Sequence, residues 1–91
     1  MTTLETQKKM VSSIISEGLN LKKMALIHSL RNYQSELEAF EKNYKMKSKM
    51  FVKKFENGIL GDDASWFEWL FTYEAMQKTK DKLNLIKTIK P

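Results

Sequence analysis

The residues most suited to chemistry in this sequence are two neighbouring carboxylates, Asp62 and Asp63, and a single histidine, His28. Paired carboxylates can bind a divalent cation, but a calcium loop needs further oxygen ligands at fixed spacing, and none follows here. Asp62 and Asp63 are instead predicted to cap a helix, because carboxylates accept hydrogen bonds from first-turn amides. His28 has no serine, cysteine or aspartate at a recognisable catalytic spacing, so we expect a solvated or hydrogen-bonded histidine.

Other catalytic chemistry has few candidate residues. The chain contains no cysteine, which excludes disulfide bonds and thiol catalysis. One histidine is too few for a usual zinc site, since such sites draw on several histidine or cysteine ligands. The sequence has no glycine-rich phosphate loop and no nucleophile elbow. We therefore expect no enzyme, no metal and no cofactor.

A run of aromatic residues is the strongest candidate for binding: Trp66, Phe67, Trp69, Phe71 and Tyr73. At about 100° per residue, Trp66, Trp69 and Tyr73 share one side of a helix, whereas Phe67 and Phe71 point elsewhere. One face cannot bury all five, so we expect part of this surface in the core and part against a partner. Tryptophan and tyrosine are favoured binding anchors. The predicted partner interface comprises Trp66, Trp69, Phe71, Tyr73, Tyr33 and Phe40.

Charge is segregated along the chain, whose net charge is +5. The block Lys42–Lys54 holds six lysines without an acid, and the block Lys78–Lys90 holds five lysines against Asp81 alone. Clustered lysines favour phosphate contacts, so a basic nucleic-acid-associated protein is the alternative function. Base recognition usually uses arginine, and the only arginine, Arg31, lies outside both blocks, so we do not favour this alternative. Its candidate contacts are Lys45, Lys47, Lys49, Lys53 and Lys54.

Helices must position all of these residues. The single proline is the last residue, and β-branched residues never alternate over the length of a strand. A first long helix is predicted from about Leu4 to Tyr44. Its apolar residues recur at spacings of four and three, the a/d seam of a coiled coil. The seam comprises Leu26, Leu30, Tyr33, Leu37, Phe40 and Tyr44, and Leu19 extends it backward with Lys23 at the intervening step.

Residues 1–18 are predicted to form a mobile helical arm. Leu4, Met10, Val11, Ile14 and Ile15 recur at helical spacing. A glycine inside a helix costs about 1 kcal/mol relative to alanine. The following Gly18 is therefore predicted to be a kink, a break or a point of close helix approach.

Two further helices are predicted after Tyr44. A short one begins at Lys47 or Ser48 and ends at Asn57-Gly58, where the glycine suits the left-handed position after a helix. A second long helix begins at Asp62 or Asp63. Its predicted apolar face is Trp66, Trp69 or Leu70, Tyr73, Met76, Leu83 and Ile86, with Lys80 at the missing step.

Several of these segments together resemble a known family. The resemblance rests on Leu37–Met46, Phe51, Lys54–Asp63, Phe67-Glu68-Trp69 and Tyr73-Glu74. Residues 30–83 are similar to small, largely uncharacterised archaeal and bacterial helical proteins whose members resemble the antitoxins of toxin–antitoxin pairs. The resemblance implies two helices, a short lysine-rich helix, a Gly-Asp-Asp corner and an aromatic helix, together with an antitoxin role. It supplies no catalytic residues and does not extend to the first 25 residues.

The sequence thus predicts an all-α fold in which residues 1–91 form one domain. The expected architecture is a long antiparallel helical hairpin with a short intervening helix, and two chains pair into a four-helix assembly. Its predicted core is Leu30, Leu37, Phe40, Trp66, Trp69, Tyr73 and Met76.

The expected function is that of a non-enzymatic protein-interaction module. It resembles an antitoxin that masks a cognate toxin-like protein through an aromatic helix face. We expect the chain to form a homodimer. We also expect it to be cytoplasmic, because the sequence has no signal peptide pattern and no apolar run long enough to span a membrane.

Overall fold

A computed structural model describes residues 3–89, and within this range the chain is all-α with no strand. The three helices of this range are α1 (Thr3–Tyr44), α2 (Ser48–Glu56) and α3 (Ala64–Thr88). The all-α prediction is therefore confirmed. The helix boundaries lie within two residues of those expected from the sequence.

Helix α1 continues through Gly18, so a break, one of the three alternatives predicted at this glycine, does not occur. A Cβ atom added at Gly18 would meet nothing within 4 Å, so no other part of the described chain approaches closely there. The glycine penalty is local and modest. The hydrogen-bonded turns on both sides are enough to carry the helix through it.

Helices α1 and α2 end in the same manner, with a residue in the left-handed region. At the end of α1 this residue is Lys45 (φ 52°), and the Met46 amide then donates to the Glu41 carbonyl at 3.2 Å. At the end of α2 it is Gly58 (φ 70°), and the Ile59 amide donates to the Lys54 carbonyl at 3.1 Å. Both are Schellman motifs, which satisfy carbonyls at the helix end. Glycine adopts this conformation without steric cost, whereas lysine does not.

Helix α3 packs along the C-terminal part of α1. Tyr44 contacts Trp66, Phe40 contacts Trp69, and Thr72 contacts Glu36. The contacts move back along α1 as they move forward along α3, so the two helices run in opposite directions where they touch. The buried residues of α3 recur at heptad-like spacing: Trp69, Thr72, Thr79 and Leu83.

Two threonines on this buried face correct the sequence prediction, which placed exposed Lys80 at the missing step before Leu83. Thr79 occupies the step instead. The hydroxyl of Thr79 donates to the Ala75 carbonyl at 2.8 Å, and that of Thr72 donates to the Glu68 carbonyl at 3.0 Å. The Thr72 hydroxyl also lies 3.4 Å from the Glu36 carboxylate of α1. Both hydroxyls have hydrogen-bond partners, so these polar residues can be buried on this face.

The core lies at one end of an elongated molecule. Of the predicted core residues, Leu37 and Trp69 are buried, while Leu30, Phe40, Trp66, Tyr73 and Met76 are half-buried. Leu26, Phe51 and Leu83 are also buried. The molecule measures 68 × 21 × 18 Å with a radius of gyration of 19.7 Å, against about 12 Å for a compact domain of this length.

The elongation comes from the N-terminal part of α1. Helix α3 has 25 residues and α1 has 42, so α3 covers only the C-terminal part of its partner. Residues 3–18 are all exposed, and Leu19 is the first half-buried residue of α1. We call residues 3–18 the N-terminal arm.

Candidate functional site

Trp69 is the centre of an aromatic cluster that joins all three helices. Its side chain is fully buried and stacks on Phe51 of α2 with ring centroids 4.1 Å apart and planes 1° apart. Phe40 of α1 stacks on Trp69 at 5.5 Å and 7°, and Tyr44 does so at 5.5 Å and 21°. Such ring pairs add about 0.5–1.5 kcal/mol each beyond the burial of area. The cluster therefore fixes how α2 and α3 sit on α1.

A buried polar network runs alongside this cluster. The Trp69 indole Nε1 donates to the Ser48 hydroxyl at 3.0 Å, and that hydroxyl donates to the Glu41 carboxylate at 2.9 Å. The Ser48 amide also donates to Glu41 at 2.9 Å. Lys47, at the N-cap position of α2, makes no capping hydrogen bond with its side chain. Glu41 of α1 therefore caps α2 from a different helix.

The electrostatics of Glu41 follow from this capping role. The Ser48 amide lowers the pKa of Glu41 below its ordinary value of 4.5, with the Ser48 hydroxyl and nearby Lys47 acting in the same direction. Partial burial opposes the shift. The charged carboxylate is the form that receives both hydrogen bonds, so the network favours ionised Glu41.

The corner between α2 and α3 is fixed by two further hydrogen bonds. The Trp66 indole Nε1 donates to the Leu60 carbonyl at 3.1 Å, and the Ser65 amide donates to the Asp63 carboxylate at 2.9 Å. Asp63 is thus the N-cap of α3, and the Ser65 amide lowers the pKa of Asp63. Asp62 is exposed and does not take part in this hydrogen bond. Of the two predicted cap residues, Asp63 is therefore the one that caps α3.

Beside the cluster, an open groove lies between α1 and α3, with a volume of about 890 Å³. Phe67 and Phe71 stand on its α3 wall, with 52% and 69% of their surface exposed. Glu36 and Glu68 supply the charged side chains of the groove, and both are acidic. We call this concavity the aromatic groove; it is lined by Tyr33, Glu36, Ala39, Phe40, Asn43, Phe67, Glu68, Phe71 and Thr72.

The structure divides the predicted partner interface between three places. Tyr33, Phe40 and Phe71 line the aromatic groove. Trp66 is half-buried in the aromatic cluster, and Tyr73 lies on the other side of α3, where its hydroxyl accepts a hydrogen bond from Gln77 at 3.2 Å.

Trp69 corrects the prediction most clearly, because a side chain that is fully buried within its own chain has no surface for a partner. Phe67 is the one aromatic residue lining the groove that the predicted interface omitted. Helical spacing places Phe67 on a different side of the helix from Trp66 and Trp69, which is the sequence feature that indicates an exposed position.

Four of the lysine candidates line two concavities that share Lys47. Lys47, Lys49 and Lys53 line a concavity of about 400 Å³ together with Met50, Val52 and Tyr73. Lys45 and Lys47 line the other concavity, together with Lys42, Met46 and the acids Glu38 and Glu41. Lys54 is half-buried on α2. The acids in the second concavity weaken its attraction for phosphate.

Residues 3–89 contain no group of side chains suited to metal binding. No group of three or more histidine, cysteine, aspartate or glutamate side chains there could hold a metal ion. His28 is exposed, and its Nε2 lies 3.3 Å from Asn32 Nδ2. None of the helices in this range combines the length and apolar character needed to cross a membrane.

Comparison with known proteins finds no relative of this chain. No protein-family model matches the chain. No curated protein and no solved structure is significantly similar to it. The antitoxin resemblance therefore stays a prediction, and the aromatic groove is the feature from which a function has to be argued.

Proposed function

We propose that this chain is a non-enzymatic interaction module whose aromatic groove binds an apolar helix of a partner protein. The observation that carries the proposal is the pair Phe67 and Phe71. These two phenylalanines are exposed in a concave site, whereas Trp69 on the same helix is completely buried. Exposed apolar patches framed by polar groups are typical of binding sites.

The build of the groove supports a helical occupant. Its walls are two helices held at a fixed distance by the Trp69 cluster. An amphipathic helix laid between them would contact Phe67 and Phe71, which lie one turn apart on α3. Glu36 and Glu68 would face basic residues at the edge of such a helix.

The biological setting that we propose follows the antitoxin resemblance. In this setting the antiparallel helical hairpin masks a cognate toxin-like protein in the cytoplasm, and two chains associate into a four-helix assembly. The thin core supports association, because single domains this small bury little apolar surface on their own.

The proposal is tested by affinity capture from host cells with wild-type chain, Phe71→Ser and Ile59→Ser. Ile59 is a matched control, since it is 67% exposed and Phe71 is 69% exposed, yet Ile59 does not line the groove. A stoichiometric protein should bind wild type and Ile59→Ser, survive nuclease treatment, and be lost with Phe71→Ser. Equal capture by both variants would contradict the proposal.

The same experiment separates the nucleic-acid alternative. Nucleic acid recovered with all three chains, and removed by nuclease or high salt, would assign the binding to the lysine blocks. Charge-neutralised Lys47, Lys49 and Lys53 should then abolish recovery, whereas Phe71→Ser should leave it unchanged.

A further inference from the structure

The N-terminal arm presents an apolar face that the rest of its own chain leaves uncovered. Its large apolar residues are exposed to between 46% and 65%: Leu4, Met10, Val11, Ile14 and Ile15. A shallow concavity on this face is lined by Leu4, Gln7, Lys8, Val11, Ser12 and Ile15. From these features and the aromatic groove, we propose that the arm of a second copy of this chain occupies the groove, with the two α1 helices crossing in opposite directions.

The arm face and the aromatic groove lie on the same side of α1. Leu4 and Phe40 are 36 residues apart, and Ile15 and Tyr33 are 18 residues apart. Both separations are about whole numbers of turns at 3.6 residues per turn. Helix α1 is continuous from Thr3 to Tyr44, so this alignment is preserved along its length.

Two-fold symmetry can bring each arm onto the groove of the other chain. In a two-fold dimer with antiparallel α1 helices, a residue near one end of α1 meets a residue near the other end of its partner, and the reverse contact forms automatically. The arm of each chain then lies on the groove of the other. An arm of roughly 24 Å is long enough to cover the part of the groove between Tyr33 and Asn43, roughly 15 Å.

The arm concavity and the aromatic groove carry charges of opposite sign. Lys8 is the one charged residue that lines the concavity of the arm, and it is basic. Glu36 and Glu68 are the charged residues that line the groove, and both are acidic. Opposite signs on the two surfaces favour the arm of a second copy over its approach to another arm.

The chain also exposes more surface than a compact monomer does. It exposes 7084 Å², which is about 1,600 Å² more than a compact monomer of its mass would expose. A standard interface removes about 800 Å² from each partner. The excess surface of the elongated chain is therefore larger than the area that a standard dimer interface covers on each partner.

The inference rests on the proposed function in one respect, since both use the aromatic groove as the binding site. It adds that the groove is filled by a second copy when no other partner is present, so a foreign helix has to displace the arm. Association of two chains and capture of a foreign partner are then competing uses of Phe67 and Phe71.

Cysteine pairing tests this arrangement in the full-length chain, because the natural sequence has no cysteine to interfere. Centring the arm on the groove places Val11 of one chain at the level of Phe71 of the other. Val11→Cys and Phe71→Cys chains, carrying distinguishable mass tags, are mixed and oxidised. We expect the mixed Val11→Cys/Phe71→Cys disulfide to exceed either homodisulfide by at least about tenfold.

Ser13→Cys is the matched control, since Ser13 is also exposed on the arm but lies about 200° from Val11. It should form little mixed disulfide with Phe71→Cys. A dominant Val11→Cys homodisulfide would show that arms pair with each other and would overturn the inference. Equal pairing by Val11→Cys and Ser13→Cys, or a wild-type chain that is monomeric in light scattering at high concentration, would overturn it as well.

The two proposals fail differently. If the mixed disulfide forms but partner capture does not depend on Phe71, the arm–groove dimer stands and the proposed function fails. If capture depends on Phe71 but the mixed disulfide does not form, the proposed function stands and the arm–groove dimer fails.

Discussion

The two parts of α1 differ in what covers them, although both present apolar residues at helical spacing. From Leu19 to Tyr44 the helix is covered by α2 and α3, which bury Leu26 and Leu37. Over residues 3–18 the same helix leaves Val11 and Ile14 with 55% and 65% of their surface exposed. Periodicity shows where an apolar face lies, but the length of the neighbouring helix decides whether that face is buried.

The largest expected difference between these regions concerns stability. Trp69→Ala removes the ring on which Phe40 and Phe51 stack, and we expect it to lower the free energy of unfolding by about 3–5 kcal/mol. Val11→Ala, in the arm, should change it by less than about 0.5 kcal/mol at concentrations where the chain is monomeric. Urea unfolding followed by circular dichroism measures both. Similar losses for the two variants would mean that the regions do not differ as described.

A smaller effect is expected from the polar network. Ser48→Ala removes the acceptor for the Trp69 indole and one donor to Glu41, and it should cost about 1–3 kcal/mol because the buried indole is left unsatisfied. Ser35→Ala, on the exposed surface of α1, is the control and should be close to neutral. Urea midpoints that are equal for the two variants would show that the network does not stabilise the fold.

The pH dependence of stability sharpens the same point. The pKa of Glu41 is lowered in the folded chain by the Ser48 hydrogen bonds, so the unfolded chain binds more protons between the folded-state pKa and 4.5. The contribution of Glu41 is therefore fully present above about pH 4.5 and is lost as the pH falls through its folded-state pKa. Urea midpoints should fall less steeply for Glu41→Gln than for wild type from about pH 6 to pH 3. Parallel curves would contradict the role given to Glu41.

The smallest expected effect is at the end of α1. Lys45 has a positive φ of 52°, which strains a residue with a side chain. Lys45→Gly relieves this strain and should raise the free energy of unfolding by about 0.5–1 kcal/mol, net of the greater freedom of glycine in the unfolded chain. Lys42→Gly, inside the helix, is the opposite control and should destabilise by about 1 kcal/mol. A loss of stability with Lys45→Gly would mean that the left-handed turn is not strained.

Much of the fold could be predicted because its signals are local. The seam from Leu26 to Tyr44 and the glycine at position 58 depend on helical spacing and on backbone conformation. Thr79 was missed because threonine counts as polar in a pattern, yet its hydroxyl is satisfied by the Ala75 carbonyl. Local hydrogen bonding of this kind leaves no mark on apolar periodicity.

The candidate site was harder to predict because it depends on contacts between distant residues. Helical spacing places Trp69 and Phe71 on different sides of α3. Contacts with Phe40 of α1 and Phe51 of α2 then enclose Trp69 fully, whereas Phe71 stays exposed. Glu41 acts on Ser48 across a chain reversal, which no fixed motif describes. Such tertiary contacts decide which aromatic residue is core and which is surface.

Hydrogen exchange of the full-length chain at two concentrations tests most directly whether the arm is covered by a second copy. We expect the amides of residues 3–18 to be protected at high concentration and to exchange much faster on dilution, while amides around Trp69 stay protected at both. Slowed exchange around Phe67 and Phe71 at high concentration should accompany protection of the arm. Arm amides that exchange equally fast at both concentrations, in a chain that is otherwise folded, would contradict the arm–groove dimer.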